Sequence, residues 1–407
     1  MSTPLAVSLI QEPHNEVDAV DKYAWVILVV TLLASVSAPL NQFKVPPMMP
    51  ALIEQFDLDL VQAGMLMSFF AFSGIVLAVP AGLFIIPFGI KRMGMVALAS
   101  TIIGSALGAL SNTFELLLIS RVIEGVGMGL MVILAPITIS MWFPMARRGL
   151  PMGIWAIWSP LATLIIYNAA PLVEHYYSWQ GVWWVTTGYA VAVSILYLVF
   201  MGMPTSVGVG ETSKEIPLRN LKDGFINLDL WLLSFTFACF MFVVISMVSF
   251  LPTFLTVEHD FSLKNASFIG SVPSIAVLVA APLSGWVSDR IGSRKLVFTI
   301  PFILFGSIFI FFYNLHTWQF AAILFFAGFC MASIATAIFS SIPEVVKRSG
   351  LLGVGMAILA IGQSAGVLIG PILFGNMVEQ NGWVSGGYLL LFISVLGVIS
   401  GAFVKVR

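Results

Sequence analysis

A chain of 407 residues that is 59% hydrophobic and 9% charged, with a mean hydropathy of +1.02, cannot clothe itself in a wettable surface. Soluble domains are about a quarter charged, so this surface must meet lipid. The net charge of −1 leaves no basic field for nucleic acid, and Cys239 and Cys330 lie in apolar runs as small buried hydrophobes without metal-ligand spacing.

Residues 1–22 form a polar tail with Glu12, Glu16, Asp18 and Asp21, lacking the basic start and short core of a signal peptide. Twelve apolar runs follow, each near the ~20 residues a membrane-crossing helix needs. The first six cover 23–45, 61–84, 93–110, 115–136, 150–171 and 181–202. Residues 203–228, with Lys214, Glu215, Arg219, Lys222 and Asp223 among prolines and glycines, read as a cytoplasmic linker. The second six cover 229–251, 266–286, 296–314, 319–341, 351–374 and 384–404, within a second unit of 229–407. With the N-terminus inside, 15 of the 18 Lys and Arg fall on the inner side. The outer loops hold Lys264 and collect Glu54, Asp57, Asp59, Glu174, Glu258, Asp260 and Glu379. That sorting is the positive-inside pattern for an even number of passes, with both termini cytoplasmic. Compact loops point to a prokaryotic plasma membrane.

The halves resemble each other. Gly82 to Arg92 after span 2 returns, 203 positions later, as Gly285 to Lys295 after span 8, and Arg147-Arg148 before span 5 returns as Lys347-Arg348 before span 11. A six-span repeat suits a carrier whose solute site lies between the halves near the midplane. Gly285-Trp-Val-Ser-Asp289-Arg290-Ile-Gly292-Ser-Arg294-Lys295 and Arg121-Val-Ile-Glu124-Gly125-Val-Gly127 resemble the loop and helix-4 motifs of the major facilitator superfamily. This resemblance implies an all-α membrane fold of twelve transmembrane helices in two pseudo-symmetric six-helix bundles. The chain departs from that pattern twice. Ile86 and Pro87 stand where the first-half loop motif carries aspartate and arginine, and span 5 lacks the Gly-Pro antiporter pattern. The run from Arg121 through Trp142-Phe143-Pro144 to Gly153-Ile-Trp-Ala looks most like the cyanate/nitroimidazole-type branch.

Arg121 and Glu124 are the sharpest chemical feature. Arg121 lies about 10 Å into span 4 at 1.5 Å per residue, and Glu124 shares its helix face. Charges at such depth are paired or face a water-filled cavity. Arg121 either attracts an anionic solute or couples to Glu124, the candidate proton carrier; an internal pair that only fixes the bundle is the plainer account. Lys44, 22 positions after Lys22, is expected near the interface, where its stem snorkels to water, with a binding role no better supported. Asn41 and Gln42 lie deeper and either contact solute or join helices. Trp158, with Trp155, lines a cavity or packs against its neighbours. The second half offers only neutral polar groups within its spans, Gln363 among them, so a charged solute would be held by the first half. Asp289 and Arg290 read as gate machinery, the carboxylate capping the start of span 5 near Arg148-Gly149.

All four histidines fall in the tail or loops, and no catalytic set, metal cluster or phosphate-binding loop stands out. The reading is therefore not an enzyme, with no cofactor and no metal. It is a proton-coupled or facilitated carrier of a small polar or anionic organic solute. A multidrug exporter and a non-translocating sensor are the alternatives. The partners implied are the solute, protons and membrane lipids, with the chain acting as a monomer.

Overall fold

The computed structural model describes residues 22–77, 80–144, 147–202, 226–291, 293–315, 317–346 and 352–405. Among these residues there are helices and turns and no strand. In a membrane each backbone N–H and C=O must be satisfied within its own segment, and a helix does that.

Eight stretches are long and apolar enough to cross a membrane. Two of them, Gly149–Phe200 and Val354–Phe403, are hairpins broken by non-helical backbone at Ser178 and Gly382. With Leu60–Leu77 and Arg294–Ile308 as spans 2 and 9, the passes number twelve. Span 1 differs from expectation. It continues past Lys44 as Val45–Phe56, because Pro46 and Pro47 occupy the first turn of a new helix, where missing N–H groups cost nothing. Span 9 is shorter than expected, ending at Ile308 ahead of a 3-10 turn at Phe312–Asn314. Thr113 and Asn227 cap the helices of spans 4 and 7 by accepting from Leu116 N and Asp229 N.

The turns carry the repeat. Asp57 and Asp260, 203 positions apart, adopt left-handed backbone (φ 50° and 54°) between spans 1 and 2 and between spans 7 and 8. Ser178 and Gly382, 204 apart, also take positive φ (62° and 80°), with ψ of 178° and 169°, between spans 5 and 6 and between spans 11 and 12. L-residues rarely visit this region, aspartate being among the more tolerant. Positive φ recurring at matched positions marks the same hairpin built twice. All four turns lie at one end of the molecule, here the turn end; the opposite end, where Phe200 and Leu228 flank the linker, is the linker end.

Contacts between the bundles concentrate towards the turn end. The Leu352–Phe403 hairpin packs on Leu60–Leu77, and Leu263–Ile291 packs on Trp158–Phe200. Gly64 sits so close that a Cβ would fall 2.7 Å from the Pro371 carbonyl carbon, and one at Gly375 would fall 2.8 Å from that of Leu60. Tyr167 donates to the Val248 carbonyl at 2.9 Å, Asn168 donates to Ser271 Oγ at 3.2 Å, and the Glu379 carboxylate accepts from Leu60 N at 3.0 Å.

Candidate functional site

The densest polar cluster among the described residues lies inside the N-terminal bundle, where Lys44, Arg121 and Glu124 have no exposed surface. Glu124 Oε1 accepts from Lys44 Nζ at 2.7 Å, and Oε2 accepts from Arg121 Nη1. One carboxylate thus bridges two cations. Lys44 also donates to Asn41 Oδ1 at 2.7 Å and Ser105 Oγ at 2.9 Å, reaches Thr186 Oγ1 at 3.2 Å, and stands 4.5 Å from the Trp183 ring centre. Arg121 donates to the carbonyls of Leu66 (3.0 Å), Asn41 (2.7 Å) and Gln42 (3.3 Å), its guanidinium 4.6 Å from the Phe70 ring centre. Spans 1, 2, 3, 4 and 6 all meet here.

Local sequence explains this convergence. The helical partner of the Gln42 carbonyl would be residue 46, a proline without an N–H, so that oxygen is left for Arg121. Span 3 approaches span 4 through Gly104, where a Cβ would fall 2.6 Å from Glu124 Cγ. One turn on, a Cβ at Gly108 would meet the Trp183 indole at 2.5 Å. Two glycines on one face open the space that the carboxylate and the indole fill.

Lys44 therefore differs from the expectation of an interfacial, snorkelling lysine. Span 1 runs on for twelve residues beyond it, which keeps its position deep, and Glu124 supplies the counter-charge that water would otherwise provide. Asn41 and Gln42 join the cluster, Asn41 through both its side chain and its carbonyl. Trp158 stands apart, stacked on Trp155 at 5.5 Å and 12°, while Trp155 donates to Ser35 Oγ at 3.0 Å. Gln363 lies half-buried on span 11 in the other bundle.

At the linker end, Arg148 donates to the Phe143 and Ser140 carbonyls, closing the C-terminus of span 4. Arg290 is exposed in the last turn of span 8, and the Asp289 side chain lies outside the described residues. Among the described residues, a carboxylate-to-helix contact that joins the bundles lies at the opposite end, between Glu379 and the first turn of span 2. Ser105, Thr186 and Trp183 are cluster members that sequence reasoning passed over, and Phe70, one of the aromatics read as lining a cavity or packing against neighbours, lies under the Arg121 guanidinium. The Gly104/Gly108 pair was the available signal for the first three.

The sequence profile of the Major Facilitator Superfamily matches residues 31–273 and 257–407. The chain belongs to the major facilitator superfamily. It is 23% identical over 402 residues to the hexuronate transporter of Bacillus subtilis, covering 89% of this chain and 90% of that one. It is 23% identical to the protein of Cupriavidus necator named "Probable sulfoacetate transporter SauU", covering 93% and 91%. To the phosphoglycerate transporter protein of Salmonella typhimurium it is 26% identical, covering 84% and 80%. This superfamily member is a multi-pass membrane transporter of small molecules, not an enzyme.

Proposed function

We propose that the protein is a secondary transporter of a small organic anion, working by alternating access between its two bundles. The observation that carries this reading is the charge count of the buried cluster, in which two cations face one carboxylate. Ionised, the three leave one positive charge unmatched inside the N-terminal bundle. At roughly 10 Å and an effective dielectric near 20, a unit charge attracts an anion by about 1.7 kcal/mol. Among the described residues the second bundle contributes no ion to the cluster, so the attraction is one-sided. Hexuronate, sulfoacetate and phosphoglycerate, named for three relatives, are all small organic anions.

In this reading Arg121 and Lys44 hold the field that favours the anion, and Asn41 and Gln42 fix their positions. Trp158 and Gln363 are the proposed contacts on either side of the seam. The turn end faces outwards, matching its acidic loops, and both termini are cytoplasmic in the cell membrane. Interbundle contact at the turn end supports a state closed to the outside, with Asp289, Arg290 and Arg148 as the proposed inner gate. Glu124 is the proposed proton carrier, since a proton on it would loosen both cations at once and so link proton uptake to anion binding.

Uptake into proteoliposomes tests this, using labelled glucuronate, sulfoacetate, 3-phosphoglycerate and a neutral sugar, each with and without a pH gradient. At least one anion should accumulate well ahead of the sugar. Equal rates for the sugar and all three anions would defeat the anion assignment. A pH dependence unchanged in Glu124→Gln would remove that residue from proton coupling.

A further inference from the structure

Buried hydroxyls in membrane helices normally donate to a carbonyl one turn back, and most of the described ones here do. On span 7, Thr236 donates to Leu232 O at 2.9 Å and Thr256 donates to Thr253 O at 3.0 Å, while Ser234 crosses to Ile358 O at 2.6 Å. Seven described hydroxyls, fully or largely buried, have no partner: Thr31, Ser68, Ser246, Ser249, Thr253, Ser267 and Thr299. Four of these share a location.

Ser267 is one turn before Gly270 and Ser271, the span 8 residues that meet Tyr167 and Asn168 of span 5. Ser68 is one turn after Gly64, which touches Pro371 of span 11. Ser249 and Thr253 need a helical-wheel argument. On span 7 the Val248 carbonyl accepts from Tyr167, and Ser246 lies beside Gly370 of span 11. At 100° per residue, Ser249 and Thr253 fall on the arc between those two contacts. Val45–Phe56 of the other bundle packs on this helix. All four hydroxyls are on the seam between the bundles, in the half towards the turn end, and each is at most 2% exposed.

A dry, permanently closed seam gains nothing from donors without acceptors, and alanine or valine would fill the same space. We infer that Ser68, Ser249, Thr253 and Ser267 line the turn-end half of the solute path, buried in this closed state and wetted when the bundles part there. The inference rests on the transport reading above and adds the side chains a solute meets. Four neutral donors suit the oxygens of a carboxylate, sulfonate or phosphate ester. They pass an anion along by hydrogen bonds, whereas a second cation would hold it too tightly to release. The charge sits behind them in the N-terminal bundle and sets preference, while the hydroxyls supply the contacts.

The test places single cysteines at Ser249, Thr253 and Ser267, with Thr236→Cys as the back-bonded control, in a Cys239→Ala/Cys330→Ala background. A membrane-impermeant maleimide is added to intact cells expressing each variant, and uptake of labelled glucuronate and sulfoacetate is followed in the same cells. The three seam cysteines should label at least tenfold faster than the control, and an excess of a carried anion should slow them severalfold. Seam cysteines that label no faster than the control, yet react fully after denaturation, overturn the inference whether or not flux continues. Rapid seam labelling without flux of any anion keeps the lining and sinks the transport reading. As a second arm, Ser249→Ala should raise the KM for the carried anion about threefold or more, leaving kcat within twofold. An unchanged KM would count against solute contact at that position.

Discussion

The two bundles come from one repeated hairpin design yet are held together by different forces. The N-terminal bundle ties five spans through a buried ionic cluster, and each of its three charged side chains has at least two hydrogen-bond partners. The C-terminal bundle instead packs aromatic rings against one another. Phe240 meets Phe302 edge-on at 6.0 Å, and Phe254 is ringed by Phe312, Tyr313, Phe320 and Trp383 at 5.0–6.0 Å. Lipid tails are as apolar as leucine, so burial alone does not drive transmembrane helices together. Both halves bring backbones together at glycines, Gly125 against Phe70 and Gly366 against Ala238; the first adds directed polar bonds, the second interlocking rings. The first solution fixes geometry and stores charge. The second fixes shape and holds five of the seven partnerless hydroxyls.

If that contrast is right, the largest loss should come from removing the shared carboxylate. Glu124→Ala leaves Lys44 and Arg121 buried without a counter-ion, and breaking buried pairs costs about 3–5 kcal/mol. Thermal unfolding in detergent should show a large fall in Tm for Glu124→Ala and a smaller one for Glu124→Gln, whose amide still accepts one bond. Equal, small shifts would mean that the cluster holds nothing together.

The next largest effect belongs to the other bundle. Gly366 touches span 7 so closely that a Cβ would lie 2.9 Å from Phe242 N. Gly366→Leu should force the helices apart and cost about 1–3 kcal/mol, in line with other overpacked cores. Gly153, with open space around its Cβ position, is the control, and Gly153→Ala should leave Tm unmoved.

These effects also mark what the sequence made legible. Twelve spans and the Arg121–Glu124 pairing follow from hydropathy and i,i+3 spacing, because each is a local property of the chain. The place of Lys44 was not legible. Counting from Lys22 puts it at a membrane edge, but Pro46 and Pro47 start a second helix that carries span 1 on to Phe56. Its partner lies 80 positions away, and no local pattern joins them. The Gly104/Gly108 face of span 3 hinted at a close neighbour without saying which one. Seam hydroxyls are harder still, since what sets Ser249 apart from Thr236 is a missing bond that only three-dimensional packing shows.

A sharper test of the contrast concerns selectivity. Lys44→Met removes the unmatched charge but keeps the Arg121–Glu124 pair and the Ser105–Thr186 contact at 3.1 Å. Stability should change by less than in Glu124→Ala. The KM for a carried anion should rise about tenfold, equivalent to about 1.4 kcal/mol, while uptake of neutral analogues stays level. If anion and neutral substrates respond alike, the charge serves packing alone.

The smallest effect is expected where the bundles touch each other. Glu379 accepts from the first turn of span 2, so its charge faces the positive end of a helix from the opposite bundle. Such exposed caps are worth about 0.3–1 kcal/mol and fade as salt screens them. Glu379→Gln should therefore leave Tm nearly unchanged and shift only the balance between open and closed turn ends, by about twofold to fivefold. Labelling of a Thr253→Cys reporter reads that balance directly, rising in Glu379→Gln at low ionic strength and converging with the parent at 1 M salt. A difference that persists at high salt would show that the side chain acts by packing, and that charge holds the N-terminal bundle together without contributing to the contact between the two.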